Sequence, residues 1–409
     1  MKRAVIAYLA RGESEEAIKY ALREMAELAR NVDLEAVGWV IQRKASPDPS
    51  YLLGEGKIQE LQKKVEELEA EAVIFNLELS PRQAVKLEER LGQAEIWDRT
   101  QVILEIFNRR AHSREGKIQV ELARLSYLYP RMLGWGQILS RLGGGLGTRG
   151  PGETKLEVLR RTVRQRIHRL RKELEEVRRN RQLLRKRRAQ SAVPVVALVG
   201  YTNAGKSTLL NALSSSAHKV LAEDRLFATL DPVSRRVELP SGRHIILADT
   251  VGFIHDMPPK LKEAFKATLE ELESAHLLLH VIDLTSPYME LQIEAVEKIL
   301  GELGLGERPC IRVYNKLDRF SGTPPWDGIA ISALHGINLP LLLRRIEEEL
   351  FSQMEITLHI PYTSLGAVSR LRSRIEIVAE RYTETGVEMV LRGRREDLKL
   401  LEKSFRKEL

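Results

Sequence analysis

The chain has 409 residues, 43% hydrophobic, 30% charged and only 5% aromatic, which excludes a disordered or collagen-like chain and suggests two to four domains at about 150 residues each. Its formal charge of +8 is uneven: residues 155–188 carry 15 Lys/Arg against 4 Glu, net +11, leaving −3 for the rest. One cysteine, Cys310, rules out an intrachain disulfide and a cysteine-based zinc site, and a reducing, cytoplasmic setting is the simplest expectation.

The N-terminal MKRAVIAYLARGESEE has a short apolar run, early charges and no clear cleavage site, so AVIAYLA (4–10) reads as a strand rather than a signal peptide. No apolar run reaches the roughly 18 residues of a spanning helix, and no integral membrane segment is expected. A helix is predicted over 14–30, with Ser14 at its N-cap and Ala17, Ala21, Met25 and Leu28 on its apolar face. Strand 34–42, loop 44–56, helix 57–70, strand 72–76, a helix from Pro81 and strand 94–98 continue the alternation. Repeated β-α units predict a parallel α/β domain over 1–110.

Residues 111–190 read as a helical hairpin arm. One helix includes 114–132; the other carries Val163, Ile167, Leu170, Leu174 and Val177 in a heptad-like seam. Between them, Gly136, Gly143, Gly144, Gly145, Gly147, Gly150 and Gly152 predict a loop free of regular helix or strand. A solvated coiled-coil face would also be charged, but acids are too few to pair these arginines, and the concentrated charge points to an anionic partner. Strands VPVVALVG, HIILADT, LLLHVID and CIRVYN then predict a second, doubly wound and mostly parallel domain over 191–353. The last stretch, 354–409, reads as a small α+β domain: strand EITLHI, a helix near 365–381, strand GVEMVLRG and a terminal helix.

Chemistry concentrates in 191–353. GYTNAGKST has P-loop spacing between a strand and a helix: Gly200, then Tyr201, Thr202, Asn203 and Ala204, then Gly205, Lys206, Ser207 and Thr208. Its backbone amides can cradle phosphates, Lys206 supplies a cation and Ser207 a magnesium ligand. In LFATLDP, Phe227, Ala228, Thr229, Leu230 and Asp231 form a candidate switch, with Thr229 as a second hydroxyl for Mg2+. In DTVGF, Asp249 can hold magnesium through water, Thr250 and Val251 follow, and the Gly252 amide can meet a γ-phosphate. Lys206, Thr229 and Gly252 are thus the candidate catalytic contacts. In VYNKLD, Asn315, Lys316, Leu317 and Asp318 end a strand, and a carboxylate there can accept both hydrogen bonds that guanine offers. Ser332, Ala333 and Leu334 can close over the base. Five such motifs in chain order, each at the carboxyl end of a predicted strand, identify the GTPase superfamily, with GTP or GDP as the bound nucleotide. Within it, Asn315 and Asp318 are implied to read the base, Lys316 to pack on its plane and Thr229 to belong to the first switch. Phe253 replaces the glutamine that commonly orients the attacking water, so hydrolysis should be slow without a partner; the same ring can also serve as a packing residue. His276 and His280 lie in a strand pattern without a third ligand and read as ordinary strand histidines.

Beyond the nucleotide motifs, LLGEGKIQEL (52–61), LSPRQAVKLEERLG (79–92), REGKIQVELA (114–123) and GGGLGTRGPGETKLEVLRR (143–161), together with Phe253, resemble the HflX family of ribosome-associated GTPases over nearly the whole chain. Leu159 departs from the acidic residue often found there. The resemblance implies a factor that binds the large (50S) ribosomal subunit and splits or rescues stalled 70S ribosomes under stress. Residues 140–188 would then reach ribosomal RNA near the peptidyl transferase centre, Arg141, Arg149 and Lys155 among them, and the protein is expected to be monomeric off the ribosome. A ribosome-assembly GTPase, a nucleotide-driven RNA remodelling factor and a signalling switch are the alternatives; the remodelling reading suffers from the lack of a second GxxxxGK[ST].

Overall fold

A computed structural model describes residues 1–142, 151–189, 193–214, 233–250, 252–254, 272–325, 327–351, 353–362, 375–394 and 398. Its first sheet holds β1 (Lys2–Ala10), β2 (Leu34–Arg43), β3 (Ala72–Phe75) and β4 (Glu95–Asp98), parallel throughout and ordered β2-β1-β3-β4. Strand β1 is a continuous buried run because helices cover both of its faces. Helices α2 (Glu55–Glu67) and α3 (Pro81–Leu91) pack on Val5, Ala7, Leu9, Val73 and Phe75. Helices α1 (Glu15–Arg30) and α4 (Arg99–Arg110) pack on Ala4, Ile6, Tyr8 and Ile74. Local signals set the starts: Ser14 Oγ accepts from Ala17 N at 3.2 Å, and Ser80 and Gln83 form a reciprocal capping box ahead of Pro81.

The arm consists of α5 (Arg114–Leu142) and α6 (Pro151–Ala189). They run antiparallel: Arg166 forks onto Glu121 at 2.7 and 2.8 Å, Arg164 bonds the Tyr129 hydroxyl, and Ile118 packs with Leu170 and Leu174. The seam read from the sequence faces α5, with Leu170 and Leu174 buried and Val163, Ile167 and Val177 half-buried. Two of the loop glycines behave otherwise than expected. Gly136 lies within α5 and Gly152 in the first turn of α6. A helical glycine costs about 1 kcal/mol, which a long packed helix absorbs, and Pro151 suits a helix start. Gly143, Gly144, Gly145, Gly147, Gly150 and Arg149 lie outside the described residues.

A buried carboxylate roots the arm. Asp98, 1% exposed, caps α4 through Gln101 N (2.9 Å) and accepts from Leu79 N (2.9 Å), the Tyr127 hydroxyl (2.7 Å) and Arg131 Nη2 (3.0 Å). The Arg131 guanidinium lies 3.5 Å from the Tyr127 ring centroid and also bonds the Leu79 carbonyl. Burial pushes the Asp98 carboxyl pKa up, against the pull of these donors.

The second sheet is ordered β10-β9-β8-β5-β7-β6. It contains β5 (Val195–Gly200), β6 (Val233–Glu238), β7 (His244–Asp249), β8 (Leu277–Asp283), β9 (Cys310–Asn315) and β10 (Gly328–Ala330), all parallel except the edge strand β6. Helices α7 (Lys206–Leu213) and α9 (Leu339–Phe351) cover one face, and α8 (Met289–Glu302) the other. The C-terminal strands β11 (Gln353–Pro361), β12 (Ile375–Tyr382) and β13 (Gly386–Arg394) form an antiparallel sheet ordered β11-β13-β12. Residues 375–381 are therefore strand, not helix; Ile375 and Ile377 pack with Val387, Met389 and Leu391, a period-2 burial that a helix would break. No described helix is long and apolar enough to cross a membrane.

Asp98→Ala would leave the buried Arg131 guanidinium with only the more distant Glu78, 3.7 Å away, as an acid. Urea denaturation of the full chain should show a loss of about 3–5 kcal/mol; a change under about 1 kcal/mol would remove Asp98 as the arm's anchor.

Candidate functional site

The nucleotide motifs converge at the carboxyl ends of β5, β7, β9 and β10. At the end of β5, a Cβ on Gly200 would stand 2.2 Å from the Val281 carbonyl of β8, so only glycine lets the two strands pair there. The chain then turns through Tyr201, Thr202, Asn203 and Ala204 to Gly205, whose φ of +93° starts α7 and whose Cβ would strike the Asn315 amide at 2.2 Å. Lys206 Nζ donates to the carbonyls of Gly200 (3.0 Å) and Tyr201 (2.8 Å), holding the loop in a ring around its ammonium. Ser207 Oγ donates to Asp249 Oδ2 at 2.7 Å, which joins the two expected magnesium ligands across α7 and β7. Thr208 is half-buried in α7, and the Thr250 hydroxyl is spent on the Leu198 carbonyl at 2.7 Å.

At the ends of β9 and β10, Asn315 works as a clamp. Its Nδ2 donates to Ala204 O (2.9 Å) and its Oδ1 accepts from Ala333 N (3.0 Å), tying the P-loop to the segment after β10. Lys316 adopts φ +67° and bonds Asp283 Oδ2 at 2.7 Å, fixing its stem. Asp318, in the short 3-10 turn Leu317–Arg319, accepts from Ser332 Oγ at 2.5 Å. That hydrogen bond, ahead of every other cause, holds its carboxyl below the usual range, so it stays an acceptor at neutral pH. Leu334 is exposed beside it.

Behind the P-loop lies a contact that the motifs do not announce. The Tyr201 hydroxyl donates to Glu24 of α1, whose other oxygen takes Arg99 Nη2 at 2.7 Å; Glu24 is 4% and Arg99 7% exposed. The Tyr20 ring lies 6.3 Å from Tyr201 and 4.8 Å from Tyr288, and Tyr20 takes a bond from Gln292 of α8. Burial first, and Glu24 second, push the Tyr201 and Tyr20 phenol pKa values up. Phe253 is buried in this cluster; it joins Tyr201 in a short parallel bridge, with Phe253 N on Gly200 O (3.1 Å) and Thr202 N on Phe253 O (2.8 Å). The next residue, Ile254, enters the core of the first sheet. Sequence reasoning missed Glu24. Its signal was an acid on the otherwise apolar face of α1, three residues after Ala21 and four before Leu28.

Phe227, Ala228, Thr229, Leu230, Asp231 and Val251 lie outside the described residues. His276 Nδ1 accepts from Val195 N at 3.1 Å. His280 is buried in β8, where desolvation, then Arg312 and Lys206, lower its pKa to about 4, so its ring is neutral at pH 7.

Three family models match in succession: a GTP-binding GTPase N-terminal region over 19–108, a GTP-binding GTPase middle region over 110–188 and a 50S ribosome-binding GTPase over 195–316. The GTPase HflX of Caldanaerobacter subterraneus subsp. tengcongensis is 49% identical over 386 residues, covering 94% of this chain and 89% of the relative. The chain belongs to the HflX family. The HflX of Escherichia coli K12 is 42% identical over 364 residues, covering 86% of this chain and 84% of its own. A solved structure of a GTP-binding protein from Sulfolobus solfataricus with GDP is 28% identical, with a TM-score of 0.43 over 85% of this chain and 98% of that one. This HflX-family protein is therefore a GTP-binding P-loop GTPase.

Burial lowers the Lys206 pKa to about 8, with Asp249 opposing the shift. Phosphates favour the charged ammonium, so above pH 8 binding must take up a proton. GTP affinity measured calorimetrically should fall about tenfold from pH 7 to pH 9, and a flat profile would contradict the assignment. Asp318→Asn would place a donor amide against guanine's own donors, costing about 2–4 kcal/mol of GTP affinity and favouring xanthine nucleotides. Equal GTP affinity in both proteins would remove Asp318 from base reading.

Proposed function

We propose that this HflX-family GTPase binds the large (50S) ribosomal subunit and uses its GTP state to split or rescue stalled 70S ribosomes under stress, with the ribosome stimulating hydrolysis. In this reading residues 140–188 engage ribosomal RNA near the peptidyl transferase centre, and the protein acts as a monomer in the cytoplasm. The supporting observation is a guanine-nucleotide loop in hydrogen-bonded contact with the α/β unit that bears a basic arm. Along α6, Arg166 and Arg169 pair with Glu121 and Glu173, whereas Arg161, Arg171, Lys172 and Arg179 are exposed. Guanidinium and ammonium groups on a solvated helix suit a phosphate backbone.

Ser207 and Asp249, with Thr229, are the proposed Mg2+ ligands; hydroxyl and carboxylate oxygens are the hard donors this ion takes. The ion would neutralise charge on the β- and γ-phosphates. The chain itself supplies the Lys206 ammonium and the P-loop and Gly252 amides around the transferring group, while Asn315 and Asp318 hold the base end. What Phe253 fails to supply to the attacking water explains why hydrolysis should wait for a partner.

Stimulation by mature large subunits should be at least about tenfold. Replacing Arg161, Arg171, Lys172 and Arg179 with glutamine should weaken subunit binding and make its salt dependence shallower, by about 0.7–0.9 units for each phosphate the variant no longer neutralises. GTP binding without ribosomes should not change. Wild-type affinity and salt slope in that variant would leave α6 a solvated helix, and binding confined to immature subunits would favour an assembly role.

A further inference from the structure

The Lys206 ammonium stands beside the switch glycine, since a Cβ built on Gly252 would lie 3.1 Å from its Nζ. Two carbonyls aim it, those of Gly200 at 3.0 Å and Tyr201 at 2.8 Å. The first belongs to strand β5, whose pairing with Val281 of β8 fixes it. The second belongs to the loop, and its direction depends on the peptide unit that joins Tyr201 to Thr202. That unit is held at both ends. Its N–H donates to the Phe253 carbonyl at 2.8 Å, and the Tyr201 side chain before it is 4% exposed, with its ring clustered with Tyr20 and Phe253 and its hydroxyl on Glu24. Glu24 is held in turn by Arg99 Nη2 at 2.7 Å. Stability alone does not call for this arrangement. A phenyl ring would fill the same space, as Phe253 does beside it, and apolar groups often replace a buried ion pair without loss. What the bond from hydroxyl to carboxylate adds to the packing is direction.

We propose that Glu24 and Tyr201 are positioning residues for GTP hydrolysis: through the Tyr201 hydroxyl, Glu24 fixes the peptide whose carbonyl holds the Lys206 ammonium toward the transferring phosphate. Neither side chain exchanges a proton in the reaction. Their effect passes through backbone, from the hydroxyl to the Tyr201 carbonyl and from there to Lys206 Nζ. As the bond between γ-phosphorus and the bridging oxygen breaks, charge gathers on the oxygens that the P-loop lysine faces. A misplaced ammonium therefore costs more in the transition state than in bound nucleotide. A residue of α1, in the first sheet's layer of helices, thus takes part in chemistry carried out at the second sheet. The proposal rests on the GTPase activity alone and not on the ribosomal reading, so it is tested without ribosomes.

Tyr201→Phe removes the hydroxyl, keeps the ring and leaves Glu24 paired with Arg99; Glu24→Gln keeps the shape and removes the charge. Single-turnover GTP hydrolysis by the full-length chain with Mg2+, counted per nucleotide-binding site, should slow about 5–30-fold in Tyr201→Phe, while GDP affinity stays within about threefold of wild type. Because both residues act through one bond, the double variant should be no slower than the slower single variant, within about twofold. If Glu24→Gln fails to fold, Tyr201→Phe decides alone. A wild-type rate in Tyr201→Phe would overturn the proposal. A faster rate would overturn it too, since the contact would then restrain the loop rather than align it. So would a loss of GDP affinity as large as the loss of rate, which would make the hydroxyl a support of the loop in every state.

Discussion

The Glu24 carboxylate is the joint on which the arrangement turns. One oxygen takes the hydroxyl of Tyr201, the first residue of the P-loop after Gly200, and the other takes the Arg99 guanidinium. The residue before Arg99 is Asp98, which anchors Tyr127 and Arg131 of the arm. Adjacent residues at the start of α4 thus face opposite ways, one toward the nucleotide loop and one toward the arm. Charges buried this deeply are tolerated only when paired and hydrogen-bonded. The pairing is therefore demanding in geometry, and it links the P-loop, first sheet and arm through the adjacent residues Asp98 and Arg99.

Apolar packing closes the same joint. Phe253 and Ile254 follow the switch glycine, and both are fully buried, Phe253 against Tyr20 and Tyr201 and Ile254 in the core of the first sheet. A glutamine at Phe253 would carry its amide into this apolar contact at the cost of an unpaired polar group. The chain has given that position to packing between the two sheets.

Much of this was legible in the sequence. The alternation of 2.0 and 3.6 periods marked β1 to α3 closely, since local caps such as Ser14 and Ser80 agree with the burial pattern there. The P-loop, DxxG and NKxD motifs were readable because each needs a fixed residue at a fixed strand end, and the structure gathers Lys206, Ser207, Asp249, Asn315 and Asp318 at one sheet edge. Other features turned on long-range contacts. Gly136 is helical despite its propensity, and 375–381 is strand because β13 lies beside it to pair with. Glu24 meets Tyr201 across 177 positions of sequence, a separation no local pattern encodes. Asn315 also carries a contact that no motif announces: its amide bonds Ala204 O and Ala333 N and so ties the P-loop to the segment after β10.

If one rigid unit carries both the nucleotide loop and the basic arm, the nucleotide held at Lys206 governs how the arm meets a ribosome. The decisive measurement is sedimentation of mature ribosomes and large subunits with the full chain, once with a non-hydrolysable GTP analogue and once with GDP. Firm co-sedimentation with the large subunit is expected in the GTP-like state, accompanied by disappearance of 70S particles, and weak association with GDP. Equal binding in the two states, with 70S particles intact in both, would contradict this coupling.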